Sequence, residues 1–351
     1  MTQLTQPTPA ASQDAAAEWT RRLISYRNPV PARSLFELAV TAIPFAALFA
    51  LSWAALSVSP WISVALSLAN AAFVLRMFMI QHDCGHGAFF RNRRWNDWVG
   101  RIIGVLTLTP YGVWRKTHAV HHATTGNLDR RGVGDIPTLT VAEYRAKPLV
   151  LRALYRLVRH PAILFGIIPF YTFFLQHRIP LGLMRSGWRY WASALGTDAA
   201  IFAILASLYM LGGVPVLVFV YLPMVLLAAS AGMWLFYVQH QFEDTSWNSE
   251  TDWTVQDAAF HGSSHYDLPP VLRWITANIG VHHVHHLASR IPFYRLSEVL
   301  RDHEIMANAR RLTLWESLRC AGLALWDEED RRLVSFAEAR RLATQADLIQ
   351  T

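Results

Sequence analysis

Four long apolar runs constrain this sequence more than any other feature. A helix needs about 20 apolar residues to cross about 30 Å of hydrocarbon. Runs of that length extend from about Phe36 to Leu56, Trp61 to Ile80, Ala192 to Leu211 and Val216 to Tyr237. Charged residues form only 16% of the chain, against about 25% in soluble domains. The sequence therefore predicts an all-α integral membrane protein with four transmembrane helices in two hairpins.

The distribution of Lys and Arg predicts the orientation. The turns at 57–60 and 212–215 contain neither residue, and an excess of basic residues marks the cytoplasmic side. We therefore expect both termini in the cytosol. The expected segments are a cytosolic N-terminal segment 1–35, hairpin 36–80, a cytosolic or interfacial region 81–191, hairpin 192–238 and a cytosolic helical cap 239–351. The net charge of +7 indicates contact with anionic headgroups and no nucleic-acid partner.

Some apolar and charged positions leave alternatives open. The stretches Val99 to Val113 and Ala162 to Leu175 are short for a span, and we expect helices lying in the interface, with a tilted span as the alternative. Arg76 and Asp198 are charged residues inside predicted spans. They form either a mutual ion pair or two separate contacts with water. The tail from about Ser297 to Leu348 reads as amphipathic helices.

Three histidine clusters lie just beyond the apolar runs. They are His82-Asp83-Cys84-Gly85-His86, His118-Ala119-Val120-His121-His122 and His282-His283-Val284-His285-His286. Histidines three or four residues apart share one helix face, so their rings can converge on a metal. Eight or nine imidazoles suit two ions, and imidazole alone does not choose among zinc, copper, iron and nickel. Cys84 and Cys320 are the only cysteines, so a structural zinc site or an iron–sulfur cluster is not expected.

These motifs resemble those of the membrane fatty acid desaturases, most closely the bacterial acyl-lipid desaturases of the Δ12 (omega-6) type. The matching stretches are His82 to Phe90, Lys116 to His122, Val238 to Asp244, and Asn278 to Leu287 followed by Ile291-Pro292. The resemblance covers the chain from the first hairpin to about residue 300. It implies a non-haem di-iron site under a cytosolic cap, with O₂ as co-substrate.

The resemblance also implies roles for individual residues. The implied iron ligands are His82, His86, His118, His121, His122, His240, His282, His285 and His286. His283 is excluded because it points about 100° from the ligand face. Carboxylates that could orient the ligand rings are Asp83, Glu243 and Asp244, with solvated charges as the alternative. Candidate walls of an acyl tunnel are Trp114, Trp234, Tyr237 and Phe242, although such aromatics are often packing residues. The roles of His261 and His265 stay open.

The implied reaction inserts a cis double bond into the acyl chain of a membrane lipid in a bacterial cytoplasmic membrane. The chain shows no fused cytochrome b5 motif, so the electron donor is expected to be a separate ferredoxin or cytochrome b5-like protein with its reductase. The sequence leaves the double-bond position, the acyl carrier and the oligomeric state open. The alternatives are a related hydroxylase or ketolase acting on an alkane or carotenoid, a membrane cytochrome b and a metal transporter.

Overall fold

Helices form most of the computed structural model, which describes residues 18–19, 21–307 and 310–349, with backbone only for 343–349. The helices up to the middle of the chain are α1 Pro31–Ala55, α2 Pro60–His86, α3 Arg93–Leu106, α4 Tyr111–Thr124, α5 Val141–Ala146 and α6 Leu149–Val158. A 3-10 turn at Leu23–Arg27 precedes them, and an irregular helical stretch, Ile163–Arg178, follows them. The later helices are α7 Trp188–Pro215, α8 Leu222–His240, α9 Val255–His261, α10 Pro270–Ile275, α11 His282–Leu287, α12 Phe293–Asp302, α13 Glu304–Ala307, α14 Leu314–Cys320 and α15 Phe336–Ile349.

Three helical segments in the described chain are long and apolar enough to cross a membrane. They are Pro31–Ala55, Pro60–His86 and Trp188–His240, and a fourth candidate is the pair Leu149–Val158 and Ile163–Arg178, which is bent by 60°. α3, which covers most of the short stretch from Val99, is not among them. The first two helices extend past the predicted hairpin limits, so His82 and His86 lie on the last turns of a candidate span.

The 53-residue segment Trp188–His240 folds back on itself. A straight helix of that length would measure about 80 Å. However, Ser193 near its start accepts a hydrogen bond from Gly112 N in α4 (2.9 Å), and His240 Nε2 at its end lies 3.1 Å from Nε2 of His121, also in α4. Gly213 adopts φ 67° and breaks the helix, a conformation that favours glycine. The two halves therefore return to the same side of the fold.

Small polar side chains join the long helices inside the apolar region. Ser63 Oγ donates to the carbonyl of Ser52 (2.7 Å), and Asn70 Nδ2 donates to the carbonyl of Phe45 (3.1 Å). Ser67 Oγ donates to the carbonyl of Val220 in the π-helical turn before α8. Lipid tails cannot satisfy polar groups, so such groups are paired within a helix bundle. These bonds fix α2 between α1 and the later hairpin.

The ion pairs inside the long helices differ from both sequence-based alternatives. Arg76 is 1% exposed and pairs with Glu37 on α1, while its guanidinium stacks on the Trp274 ring at 4.0 Å. Asp198 instead pairs with Arg178 at 2.6 Å. The predicted choice between an Arg76–Asp198 pair and two snorkelling side chains is therefore wrong. Glu37 lies near the start of α1, and the sequence gives no sign that it faces Arg76.

The predicted all-α class holds in its coarser form, since most of the described structure is helical, but five short strands also occur among the described residues. They are β1 Leu139–Thr140, β2 His265–Asp267, β3 Arg311–Thr313, β4 Leu323–Asp327 and β5 Arg332–Ser335. β4 lies between β1, to which it is parallel, and β5, to which it is antiparallel, and β2 pairs in parallel with β3. The tail thus contains strands as well as the expected helices. These small sheets fasten it to the loops around the histidines.

Candidate metal centre

Nine histidines converge in two adjacent groups. The first group contains His82, His86, His118, His122 and His285, and the second contains His121, His240, His282 and His286. Within each group the candidate ligand nitrogens all lie within 4.8 Å of one another. The rings of His122 and His286 stack at 4.1 Å and join the groups. These nine are the histidines predicted as metal ligands, so residues separated by up to about 200 positions share one centre.

The spacing of the ring nitrogens fits metal ions better than hydrogen bonds. His118 Nε2 lies 3.0 Å from the Nε2 atoms of both His82 and His86 and 3.1 Å from that of His122. A neutral imidazole nitrogen carries either one proton or one lone pair, so it cannot bond to three like atoms at once. Two nitrogens bound to one ion at about 2.1 Å and at right angles lie about 3.0 Å apart.

Burial keeps these imidazoles neutral. It lowers the pKa of His118, His122, His282, His285 and His286 well below the ordinary value, and the neighbouring histidines lower it further. Metal ligation requires the neutral ring with a free lone pair. The site can therefore bind a metal at neutral pH without first losing protons from these rings.

Hydrogen bonds from the outer ring nitrogens orient two histidines of the second group toward its centre. His121 Nδ1 donates to Asp135 Oδ1 (2.6 Å), since a carboxylate only accepts. His240 Nδ1 donates to the carbonyl of Gly262 (3.1 Å). Each bond leaves the Nε2 lone pair directed at the centre. Asp135 carries no signal of this role in the sequence, because an aspartate next to Gly134 in a glycine-containing loop resembles an ordinary turn residue.

Trp114 positions the first group by packing on it. Its ring stacks on His118 with the centroids 4.6 Å apart and the planes 14° apart. It also covers Gly85, where an added Cβ would lie 2.7 Å from Trp114 Cζ3. Gly85 therefore lets α2 and α4 approach closely enough for their histidines to meet.

A strained loop sets the third cluster. Ala277 and Asn278 adopt positive φ of 50° and 54°, which is uncommon outside glycine. At Gly280 a Cβ would lie 2.3 Å from the Tyr266 carbonyl. The Gly280 carbonyl accepts a hydrogen bond from Tyr266 N (2.7 Å). This close contact holds the six-residue helix α11, in which His282 to His286 are all buried.

Of the three predicted orienting carboxylates, only Asp83 lies beside a ring of the two histidine groups. Asp83 is buried, but its Oδ2 accepts from Phe293 N (2.7 Å) and its Oδ1 is 3.5 Å from His82 Nδ1. Glu243 and Asp244 are mostly exposed and pair with Arg332 and Arg310. For Glu243 and Asp244 the structure thus favours the alternative of solvated charges. Both follow the last residue of α8 and point away from the histidines.

The predicted tunnel aromatics pack in the protein core. Trp234 donates to the Tyr266 hydroxyl (3.4 Å), and Tyr237 donates to the carbonyl of Leu323 (2.6 Å). Phe242 is buried in the main apolar cluster. Neither these three nor Trp114 lines the large cleft, of about 730 Å³, that reaches His86 and His118. The structure thus favours the packing alternative for them.

Six histidines lie outside both groups, and three of them, His283, His261 and His265, lie in or near the predicted motifs. His283 is buried and contacts the carbonyl of Met306 (2.9 Å). His261 is half exposed and contacts Asp257 (2.7 Å). His265 contacts the carbonyl of Ala307 (3.1 Å). Cys84 and Cys320 are buried and free.

Comparisons with known proteins agree with this site. A family model described as fatty acid desaturase matches residues 59–317. A "Fatty acid desaturase" of Bacillus subtilis is 40% identical over 323 residues, which cover 92% of this chain and 91% of the relative. A Synechocystis "sn-1 oleoyl-lipid 12-desaturase" is 26% identical over 75% of this chain and 72% of its own length. A Synechocystis "sn-1 acyl-lipid omega-3 desaturase (ferredoxin)" is 28% identical over 63% of this chain and 61% of its own length.

Proposed function

Since this chain belongs to the fatty acid desaturase family, we propose that it inserts a cis double bond into the acyl chain of a membrane lipid with O₂ as co-substrate. The observation that carries the proposal is the convergence of nine histidines in two adjacent groups. A centre of nitrogen ligands for two redox ions suits attack on an unactivated C–H bond. Relatives named for a 12-desaturase support a Δ12-like position of the new double bond.

We propose that the two groups hold one iron ion each. When bound, the iron pair supplies the activation of O₂ and the removal of hydrogen from a methylene. The first group would supply His82, His86, His118, His122 and His285, and the second His121, His240, His282 and His286.

The remaining residues position this centre. The Asp135 carboxylate and the Gly262 carbonyl keep the protons of His121 and His240 on Nδ1. Trp114 covers one side of His118 and excludes water there. Burial of the second group leaves the first group, through the cleft at His86 and His118, as the face that the acyl chain approaches.

We propose four spans in two hairpins, with the histidines on the cytosolic side of a bacterial cytoplasmic membrane. The proposed bounds of these segments are the ones predicted from the sequence. The hairpins are 36–80 and 192–238, and the cytosolic segments are 1–35, 81–191 and 239–351. The return of Trp188–His240 to α4 at both ends supports this topology. The Lys and Arg distribution supports cytosolic termini.

We propose that electrons come from a separate protein. One relative carries ferredoxin in its name, which supports a ferredoxin or a cytochrome b5-like protein with its reductase. Lipid-acting relatives support a membrane acyl lipid as substrate.

The test is expression in a bacterium with simple lipids, followed by fatty acid profiling. We expect a new monounsaturated or diunsaturated acyl chain, its loss in His121→Ala, and full activity in the control His261→Ala, whose side chain lies outside both groups. Hydroxylated acyl chains without new double bonds would instead favour a hydroxylase. Undiminished product from His121→Ala would remove that histidine from the ligand set.

A further inference from the structure

A cleft of about 730 Å³ opens beside the first histidine group. Its walls come from the end of α2, from α3 and α4, and from the start of α7. His86 and His118 form part of its lining and are partly exposed. A molecule in the cleft would therefore lie directly against the histidines, without a conformational change of the chain.

The lining of this cleft is strongly basic. Its charged side chains are five cations and one carboxylate, namely Arg93, Arg101, Arg115, Lys116, Arg189 and Asp97. Asp97 accepts hydrogen bonds from Arg115 (2.8 Å) and Arg93 (3.3 Å), which compensates part of this charge. Within the described part of the chain, no ion pair involves the other three cations, which are Arg101, Lys116 and Arg189. Such a concave basic site attracts a compact anion.

The surroundings place the cleft at headgroup depth. α3, which contributes Arg93 and Arg101, also exposes Trp95, Trp98 and Ile102 by about 60% each. Exposed tryptophans on an amphipathic helix are typical of a membrane interface. The cations on the same helix would therefore lie among the lipid headgroups.

An apolar groove adjoins the cleft. Val105 lines both of them, and the groove continues between the long helices past Phe45, Ile201 and Tyr221. Its volume is about 170 Å³. An amphiphile with an anionic head and an apolar chain matches this order of a basic cleft followed by an apolar groove.

We propose that the cleft binds the phosphate of a glycerophospholipid substrate through Arg101, Lys116 and Arg189. One acyl chain of the same molecule then lies against His86 and His118 in the cleft, and the other enters the adjoining apolar groove. The inference rests on the proposed function. It adds the identity of the acyl carrier, which the proposed function leaves open. An acyl-CoA thioester offers the same phosphate chemistry, but the interfacial tryptophans and the adjoining groove favour a lipid of the bilayer. An acidic electron-donor protein fits less well, because the cations line a concavity and not a flat face.

The experiment uses the iron-loaded full chain in mixed micelles. Substrates of identical acyl composition are phosphatidylglycerol, a phosphate-free galactosyldiacylglycerol and the matching acyl-CoA, with reduced ferredoxin at saturation. The test variant is Arg101→Gln/Lys116→Gln/Arg189→Gln. The matched control, Arg94→Gln/Arg185→Gln/Arg319→Gln, removes three exposed cations that do not line the cleft. Iron content and thermal unfolding verify that the test variant and the control variant fold. If the triple test variant does not fold, the single variant Lys116→Gln replaces it.

The expected result is a rise of about tenfold in the apparent KM for phosphatidylglycerol, equivalent to about 1.4 kcal/mol, with kcat nearly unchanged. The galactolipid kinetics and the control variant should not change. Higher ionic strength should raise the wild-type KM for phosphatidylglycerol, because salt screens such contacts.

Several results would overturn the inference. They are an unchanged KM for phosphatidylglycerol, an equal rise for both lipids, a rise in the KM for ferredoxin alone, or a lower KM for acyl-CoA than for phosphatidylglycerol. A wild-type enzyme that desaturates no substrate would contradict the proposed function instead. In that case native mass spectrometry tests the inference separately. Selective retention of phosphatidylglycerol by the wild type, and its loss in the triple variant, would support the inference. Equal retention of both lipids would contradict it.

Discussion

His121 Nδ1 donates a hydrogen bond to Asp135 Oδ1 at 2.6 Å, and both side chains are buried. This bond turns the Nε2 atom of His121 toward His240, 3.1 Å away. An aspartate from a loop thus determines the orientation of a ring in the centre of the second group.

Asp135→Asn should weaken metal binding by the second group. The amide keeps the shape of the side chain but loses the charge that polarises the His121 ring, and losses of such partners typically cost about 10–100-fold in metal affinity. Chelator titration of the iron-loaded protein measures this loss. The control Asp244→Asn changes a carboxylate that is 75% exposed and should leave iron affinity unchanged. Equal affinity in both variants would show that Asp135 does not support the ring.

Gly85→Ala should reduce iron content and desaturation. The added Cβ would collide with Trp114 and displace the ring that stacks on His118. The double variant Gly85→Ala/Trp114→Phe should recover part of the iron content and part of the desaturation activity, because the smaller phenyl ring leaves room for the added Cβ. Gly166→Ala is the control, since nothing lies within 4 Å of a Cβ there. Unchanged iron content in Gly85→Ala would contradict the packing argument.

Arg76→Met should destabilise the protein by about 3–5 kcal/mol, because it leaves the Glu37 charge buried with only the peripheral Arg33 as a partner. Arg76→Met/Glu37→Gln should restore most of the loss. Denaturant unfolding in micelles measures both. Arg178→Gln should cost less, since its pair with Asp198 is partly exposed. If the losses of unfolding free energy caused by the two substitutions simply added in the double variant, Arg76 and Glu37 would not be coupled.

The metal-free protein should lose stability as the pH falls below about 6.5. Burial lowers the folded-state pKa of His118, His122 and His285 well below the ordinary value of 6.5. The unfolded chain therefore binds protons that the folded chain does not, which costs up to about 1.4 kcal/mol per pH unit for each histidine. Thermal unfolding of chelator-treated protein across this pH range measures the slope. A flat profile would contradict the burial argument.

The sequence by itself determined the elements whose signals are local. Apolar runs long enough for a bilayer marked the long helices, because only a helix satisfies every backbone group within its own segment there. Helical spacing placed His118, His121 and His122 on neighbouring turns, and it separated His283 from the ligand face. The desaturase family was identified from these same motifs, and the comparisons confirmed it.

Only the tertiary structure decided which distant side chains meet. Asp135 near His121, Glu37 beside Arg76 and the division of the nine histidines into two groups all depend on how helices pack. No sequence spacing encodes those contacts. The choice between the two alternatives for Glu243 and Asp244 depended on the tertiary structure for the same reason, because proximity to His240 along the chain does not fix the direction of a side chain after a helix ends. The physical cause is that periodicity acts within one element, whereas burial and ion pairing are set between elements.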